Sequence, residues 1–139
     1  MHDNRDSREI HLTICGNPRP KKNNMRPARR RNGSLMLIQS QNYIDFASSA
    51  RPQLLEQYKD KQAIDYAVNV KLIYYRADNR RTDLVNLQNA TLDILVDAGV
   101  LADDNYKIVT STDGSRVYVD KDNPRTEIYI SKISKKGDD

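Results

Sequence analysis

The chain has 139 residues, a net charge of +4, 37% hydrophobic and 30% charged residues, and only 5 Gly and 5 Pro. That is one compact domain, able to bury roughly two thirds of its unfolded surface, and the composition excludes collagen-like, low-complexity and wholly disordered chains. No run approaches the roughly 18 to 20 apolar residues of a membrane span, and the opening MHDNRDSREI has no apolar core for a signal peptide, so the expectation is a cytoplasmic protein with no membrane partner. A single cysteine, Cys15, cannot close an intramolecular disulfide, and two histidines cannot complete a Cys/His zinc site, which leaves oxygen ligands for any metal.

Ile10, Leu12 and Ile14 alternate with His11, Thr13 and Cys15, the period-2 pattern of a strand with one buried face. Gly16, Asn17, Pro18 and Pro20 end it, and residues 17–34, without apolar periodicity, read as a long basic loop. A short apolar run over residues 35–38 is consistent with a strand, and Tyr43, Ile44, Ala47, Ala50, Leu54 and Leu55 predict a helix over about 40–58, with Pro52 as a kink point. Residues 67–75 form a second strand, with Val68, Val70, Leu72 and Tyr74 on one side, and RADNRRT (76–82) breaks it. Over 84–98, Leu84, Leu87, Thr91, Ile94, Leu95 and Ala98 share a helical face while Val85, Leu92 and Val96 add a second apolar flank. A helix apolar on two sides is deeply buried or lies at an oligomer interface. Gly99 stops it; strands at 106–110 and 116–119 are expected to join through Asp113-Gly114, and the last strand is 127–133. No internal repeat is present. The order predicts a single mixed α/β (α+β) domain over 1–139, with flexible ends at about 1–9 and 134–139.

Charge is unevenly placed. Arg19, Lys21, Lys22, Arg26, Arg29, Arg30 and Arg31 fall between Pro18 and Asn32 with no acid among them, while Asp78, Asp83, Asp93, Asp97, Asp103 and Asp104 concentrate in the centre. The basic arm is an anion attractor; if all seven cations met phosphates, the log–log salt slope of binding would be about −6 per chain. Asp83 precedes the second helix, where an Asp caps backbone N–H groups or, alternatively, ligates a hard cation such as Mg²⁺. Asp103 and Asp104 are the natural second carboxylate contribution. A basic arm with separated carboxylates beside Arg80 and Arg81 meets the needs of metal-assisted phosphodiester hydrolysis, in which the arginines hold phosphate or developing charge. Tyr74 and Tyr129 sit in strand patterns and read as core; Tyr43, Tyr75 and Tyr106 are candidates to stack on unpaired bases. Cys15 reads as a small buried hydrophobe and His11 as a satisfied strand histidine.

RRTDLVNLQNATLDILVDAGVLADDN, from Arg80 to Asn105, resembles the central motif of the RusA-type Holliday-junction resolvases, and GNPRPKKNN, from Gly16 to Asn24, is similar to the loop after strand one in phage-type members. With the final NPRTEIYI strand, the resemblance covers nearly the whole chain. It implies a RusA-like homodimer that resolves four-way junctions by paired symmetric nicks in recombination and repair, dependent on Mg²⁺ with Mn²⁺ as a substitute, and with no small-molecule cofactor. Carried over by position, Asp83 and Asp104 match metal-binding carboxylates, Asp103 neighbours the latter, and Asp93 matches the helical acid. The DNA-binding set is Arg19, Lys21, Lys22, Arg26, Arg29, Arg30, Arg31, Arg80 and Arg81. Two positions depart: Val85 stands where the family has its second carboxylate and Asn89 where it has its helical lysine. Asp103, Asn86 or Asp78 are available to replace the first, and Lys21, Lys22 or Lys107 the second. Without replacement the chain would bind junctions without cutting them; a broader flap or fork nuclease is a third reading.

Distance adds an argument independent of the resemblance. A helix of about 15 residues rises roughly 22 Å, and the few residues from Gly99 to Asp103 return at most roughly 13 to 16 Å. Asp103 and Asp104 therefore approach Asp83 of the same chain only if the turn runs straight back, whereas an antiparallel copy of the helix brings a partner's pair close. A two-fold dimer with composite sites is expected, matching the symmetry of a four-way junction.

Overall fold

The computed structural model describes residues 9–21, 25–39 and 41–134. The expected ends and Lys22 lie largely outside them. The strands are β1 (Ile10–Cys15), β2 (Met25–Arg29), β3 (Leu35–Gln39), β4 (Val68–Arg76), β5 (Val109–Ser111), β6 (Arg116–Val119) and β7 (Arg125–Lys132); the helices are α1 (Gln41–Gln57) and α2 (Leu84–Asp97). The main sheet has the order β1-β7-β4-β5, with β6 also on β4. β1 and β4 flank β7 antiparallel, while β5 and β6 run parallel to β4.

Alternation along the strands makes one face apolar. Leu12 and Ile14, Val68, Val70, Leu72 and Tyr74, and Ile128 and Ile130 are buried, joined in one core by Phe46, Ala50 and Leu54 of α1 and Leu87, Ala90, Ile94 and Leu95 of α2. Both helices thus cover the same face. Burying such side chains contributes about 1.5–3 kcal/mol each, which explains why the period-2 and period-3.6 patterns were legible. Pro52 lies inside α1 without interrupting it, on the exposed side. Among the described residues no helix is long and apolar enough to cross a membrane.

The free edge of β1 is closed by side chains. Thr13 N donates to Gln57 Oε1 (2.8 Å) and Gln57 Nε2 donates back to Thr13 O (2.7 Å); Gln53 does the same for Cys15 (2.7 and 3.2 Å). Two amides one helical turn apart meet backbone groups two residues apart, in place of another strand.

Several expectations are corrected. The basic segment is not all loop: Met25–Arg29 pairs antiparallel with Leu35–Gln39 as a separate hairpin, closed by Arg30 N to Ser34 O (2.7 Å) and by Gly33 at φ 92°. Residues 106–108 are turn rather than strand, and β5 and β6 do not pair with each other across Asp113-Gly114; each pairs parallel with β4. Arg76 ends β4 instead of opening the breaker. Cys15 is exposed. Tyr129 is half-buried on the open face, stacked on His11 at 4.4 Å, whereas Tyr74 is fully buried as expected.

Candidate functional site

β4 delivers the chain through residues 77–83 to the start of α2. Asp83 holds the N-cap position in extended conformation (φ −90°, ψ 128°), and its carbonyl accepts the first helical bond from Leu87 N at 3.1 Å. Its side chain makes no capping bond; the exposed carboxylate accepts from Asn86 Nδ2 at 3.3 Å. Both departures from the motif face outward: Val85 is 63% exposed, and Asn89 is exposed one turn on.

The C-terminal half of α2 borders a second feature, a cleft of about 480 Å³ lined by Lys21, Tyr43, Asp93, Asp97 and Asp104 among others. Lys21 Nζ lies 2.8 Å from Asp93 Oδ2, and this hydrogen bond holds the ammonium above its usual range. Arg51 pairs with Asp97 at 3.4 Å. Burial pushes the Tyr43 phenol up. Asp103 shapes the loop: its carboxylate accepts Asp104 N at 2.7 Å and Asn105 Nδ2 at 2.9 Å, and these bonds, the backbone one first, hold it below its ordinary value. Of the lysines able to replace the missing helical one, Lys21 lies in this cleft beside Asp104, Lys22 is outside the described residues, and Lys107 is exposed in the following turn.

The structure does not bring Asp83 and Asp104 together within one chain. α2 has 14 residues and so spans about 21 Å. Ala98 N, Gly99 N (φ 79°) and Val100 N close its end on Ile94, Val96 and Leu95 carbonyls, after which Leu101 bridges Ile64, ahead of β4. Asp104 is thereby set near the opening end of β4 and Asp83 beyond its far end, with nine strand residues, about 26 Å, between those ends. Among the described residues no group of three or more His, Cys, Asp or Glu side chains is placed to hold one metal ion.

Arg29, Arg30 and Arg31 are exposed at the hairpin turn, Arg26 is on β2, and half-buried Lys21 precedes the hairpin in the chain. Arg19 is half-buried near the end of β4, and Arg80 and Arg81 are exposed just before Asp83. Of the tyrosines offered for base stacking, Tyr43 is buried and Tyr75 is stacked on Tyr118 beneath Arg125, while Tyr106 is 76% exposed. Arg76 was missed in the sequence because it reads as one more charge in a breaker segment. It is 5% exposed and its Nη1 donates to Arg80 O at 3.0 Å.

A cationic hairpin separate from a small mixed sheet, with carboxylates toward both ends of one helix, suits a protein that works on a polyanion. The endodeoxyribonuclease RusA family model matches residues 16–131, and the chain belongs to that family. A comparison with curated proteins returns no match. Membership makes the chain an endodeoxyribonuclease by class; the family's activity is Holliday-junction resolution, its substrate is branched DNA, and its nucleases generally depend on divalent metal.

Proposed function

We propose that the protein is a two-fold homodimer that nicks four-way junctions symmetrically, each active site combining Asp83 of one chain with Asp104 of the other. The carrying observation is the placement of these two carboxylates at opposite ends of α2. Antiparallel apposition of two α2 helices would superpose one chain's start on its partner's end, converting a separation of about 21 Å into proximity. The outer stripe of α2 suits such a contact: Val85 is exposed, Asn89 is uncharged, and Val96 is half-buried. A valine and an asparagine then serve the helix contact, where two like charges would face their copies.

Asp83 and Asp104 would hold Mg²⁺ or Mn²⁺ between chains, with Asp103 orienting Asp104 through the shared loop. The ion supplies charge neutralisation at the phosphate and acidifies water. Lys21 takes the place of the absent helical lysine: its ammonium, kept charged by Asp93, sits in the Asp104 cleft, ready to meet a phosphate oxygen. Arg80 and Arg81 approach from the Asp83 side, and the hairpin arginines hold flanking phosphates.

Mixed dimers test this arrangement. Asp83→Asn and Asp104→Asn chains are each expected to bind a labelled mobile junction but not nick it in Mg²⁺. Co-expressed as heterodimers, they contain one site with both carboxylates and should introduce single nicks without paired ones. Heterodimers as inactive as either parent would refute shared sites. Tight junction binding by the native protein with no nicks in Mg²⁺ or Mn²⁺ would instead identify a junction-binding protein, disarmed by Val85 and Asn89.

A further inference from the structure

Arg76 is a buried cation that the catalytic reading does not use. It points to the helix-covered side of β4, in line with Val68, Val70, Leu72 and Tyr74, and is 5% exposed. A guanidinium stays charged and offers five donors, so its burial calls for an anion or a full set of acceptors. Nη1 has the Arg80 carbonyl at 3.0 Å, but Nε is buried with no hydrogen-bond partner. Among the described residues no ion pair includes Arg76. The acid beside it, Asp78, is committed to the loop, accepting Arg80 N at 3.0 Å and standing 4.0 Å from Arg80 Nε.

More positive charge is gathered there, not less. Asn17 Oδ1 accepts Ala77 N at 2.8 Å, tying the segment that carries Arg19 to the end of β4, where Pro18 and Pro20 are also buried. Burial first, and then the like charges of Arg19 and Arg80 against the attraction of Asp78, lower the Arg76 guanidinium from its ordinary value. The Thr82 hydroxyl is a second buried group without a partner, one residue before Asp83. Above it the first turn of α2 opens with backbone N–H groups, which favour an anion.

We propose that Arg76, Arg19 and Arg80, with the Thr82 hydroxyl, form a phosphodiester-binding site at the start of α2 that seats a DNA phosphate beside Asp83. The site is distinct from the hairpin: Arg29, Arg30 and Arg31 are exposed at its turn and would follow the duplex, whereas Arg76 is fixed by the sheet and reads one phosphate position. It gives the proposed nuclease a rigid reference point for the strand at Asp83, and it rests on that reading only for which phosphate is seated.

The test separates the two. In ¹⁵N spectra of the native protein, inorganic phosphate should shift the Arg76 Nε–H resonance saturably at constant ionic strength, whether or not the protein cuts DNA. Junction affinity measured across salt concentrations should lose about 0.9 from its log–log slope in Arg76→Gln, and Arg76→Lys should restore most of it. If Arg76→Gln fails to fold, Arg19→Gln carries the same expectation from a half-buried loop position. An unshifted Arg76 Nε–H in saturating phosphate, or Arg76→Gln and Arg19→Gln slopes equal to the native one, would show that Arg76 merely props the Arg80 carbonyl, and the proposal would fall even if junction nicking were intact.

Discussion

The bond that bolts α2 to the central strand is open to a quantitative test. Tyr74 OH and Thr91 Oγ1 lie 2.7 Å apart, both residues at most 2% exposed, and Thr91 Oγ1 also donates to Leu87 O at 2.9 Å. Threonine has one hydroxyl proton, and a carbonyl only accepts, so that proton goes to Leu87 and Tyr74 is the donor to Thr91. The two deletions are therefore unequal. Tyr74→Phe removes a donor and leaves the Thr91 proton satisfied, at a cost of about 1 kcal/mol; Thr91→Val strands a buried phenol donor, at about 1–3 kcal/mol. The double variant removes both polar groups and should cost less than the sum of the singles. Urea denaturation with an unchanged m value reads all three. Refutation would be Tyr74→Phe costing more than Thr91→Val, or additivity within about 0.3 kcal/mol. Because this bond sets α2 on β4, and hence the position of Asp83 at the start of α2, Thr91→Val should also slow nicking more than Tyr74→Phe does.

Other outcomes follow from the open sheet face and the β1 edge. Glu127 accepts from Arg125 Nε (2.7 Å), Tyr129 OH (3.0 Å) and His11 Nε2 (3.0 Å), and these bonds, Arg125 first, hold its carboxyl below the ordinary 4.5. A depressed carboxyl stabilises the fold fully above its unfolded value and loses that contribution as pH falls through the folded one. Stability should therefore drop below about pH 4.5, and Glu127→Gln should flatten that acid limb while lowering stability at neutral pH, as read by denaturant melts across pH. Gln53→Leu with Gln57→Leu removes the amides that close β1; since water can reach this edge, the cost should be about 1 kcal/mol per glutamine, with concentration-dependent association in light scattering as the larger effect. A double variant that stays unassociated at high concentration would remove the edge-closing role.

Much of the fold is local in origin and was legible for that reason. The alternation in β1, β4 and β7 and the apolar spacing of α1 and α2 record which side of each element is buried, and the Ala98-Gly99 stop is turn chemistry within a few residues. The family motif from Arg80 to Asn105 is likewise contiguous, so Asp83, Asp93 and Asp104 were nameable as candidates, and the length of α2 already implied that two of them stand apart. What depended on partners was not legible. Met25–Arg29 is cationic, contains Pro27 and has no apolar alternation, yet it becomes a strand because residues 35–39 supply its ladder. Asp113-Gly114 carries a hairpin signal, but β5 and β6 find better partners on β4, a pairing across some forty residues. Tyr129 and Cys15 alternate as strand residues should, while which face the helices cover was settled only by packing. Arg76 shows the limit most plainly: an arginine at the edge of a charged segment carries no mark of burial, and it is buried with an orphaned Nε where the end of β4 meets the Asn17 segment and the loop through Arg80. Periodicity and turn residues are properties of neighbouring positions, written in the chain; burial, pairing partners and the end of a strand at which a charge lies are properties of distant segments brought together, and tertiary structure alone decides them.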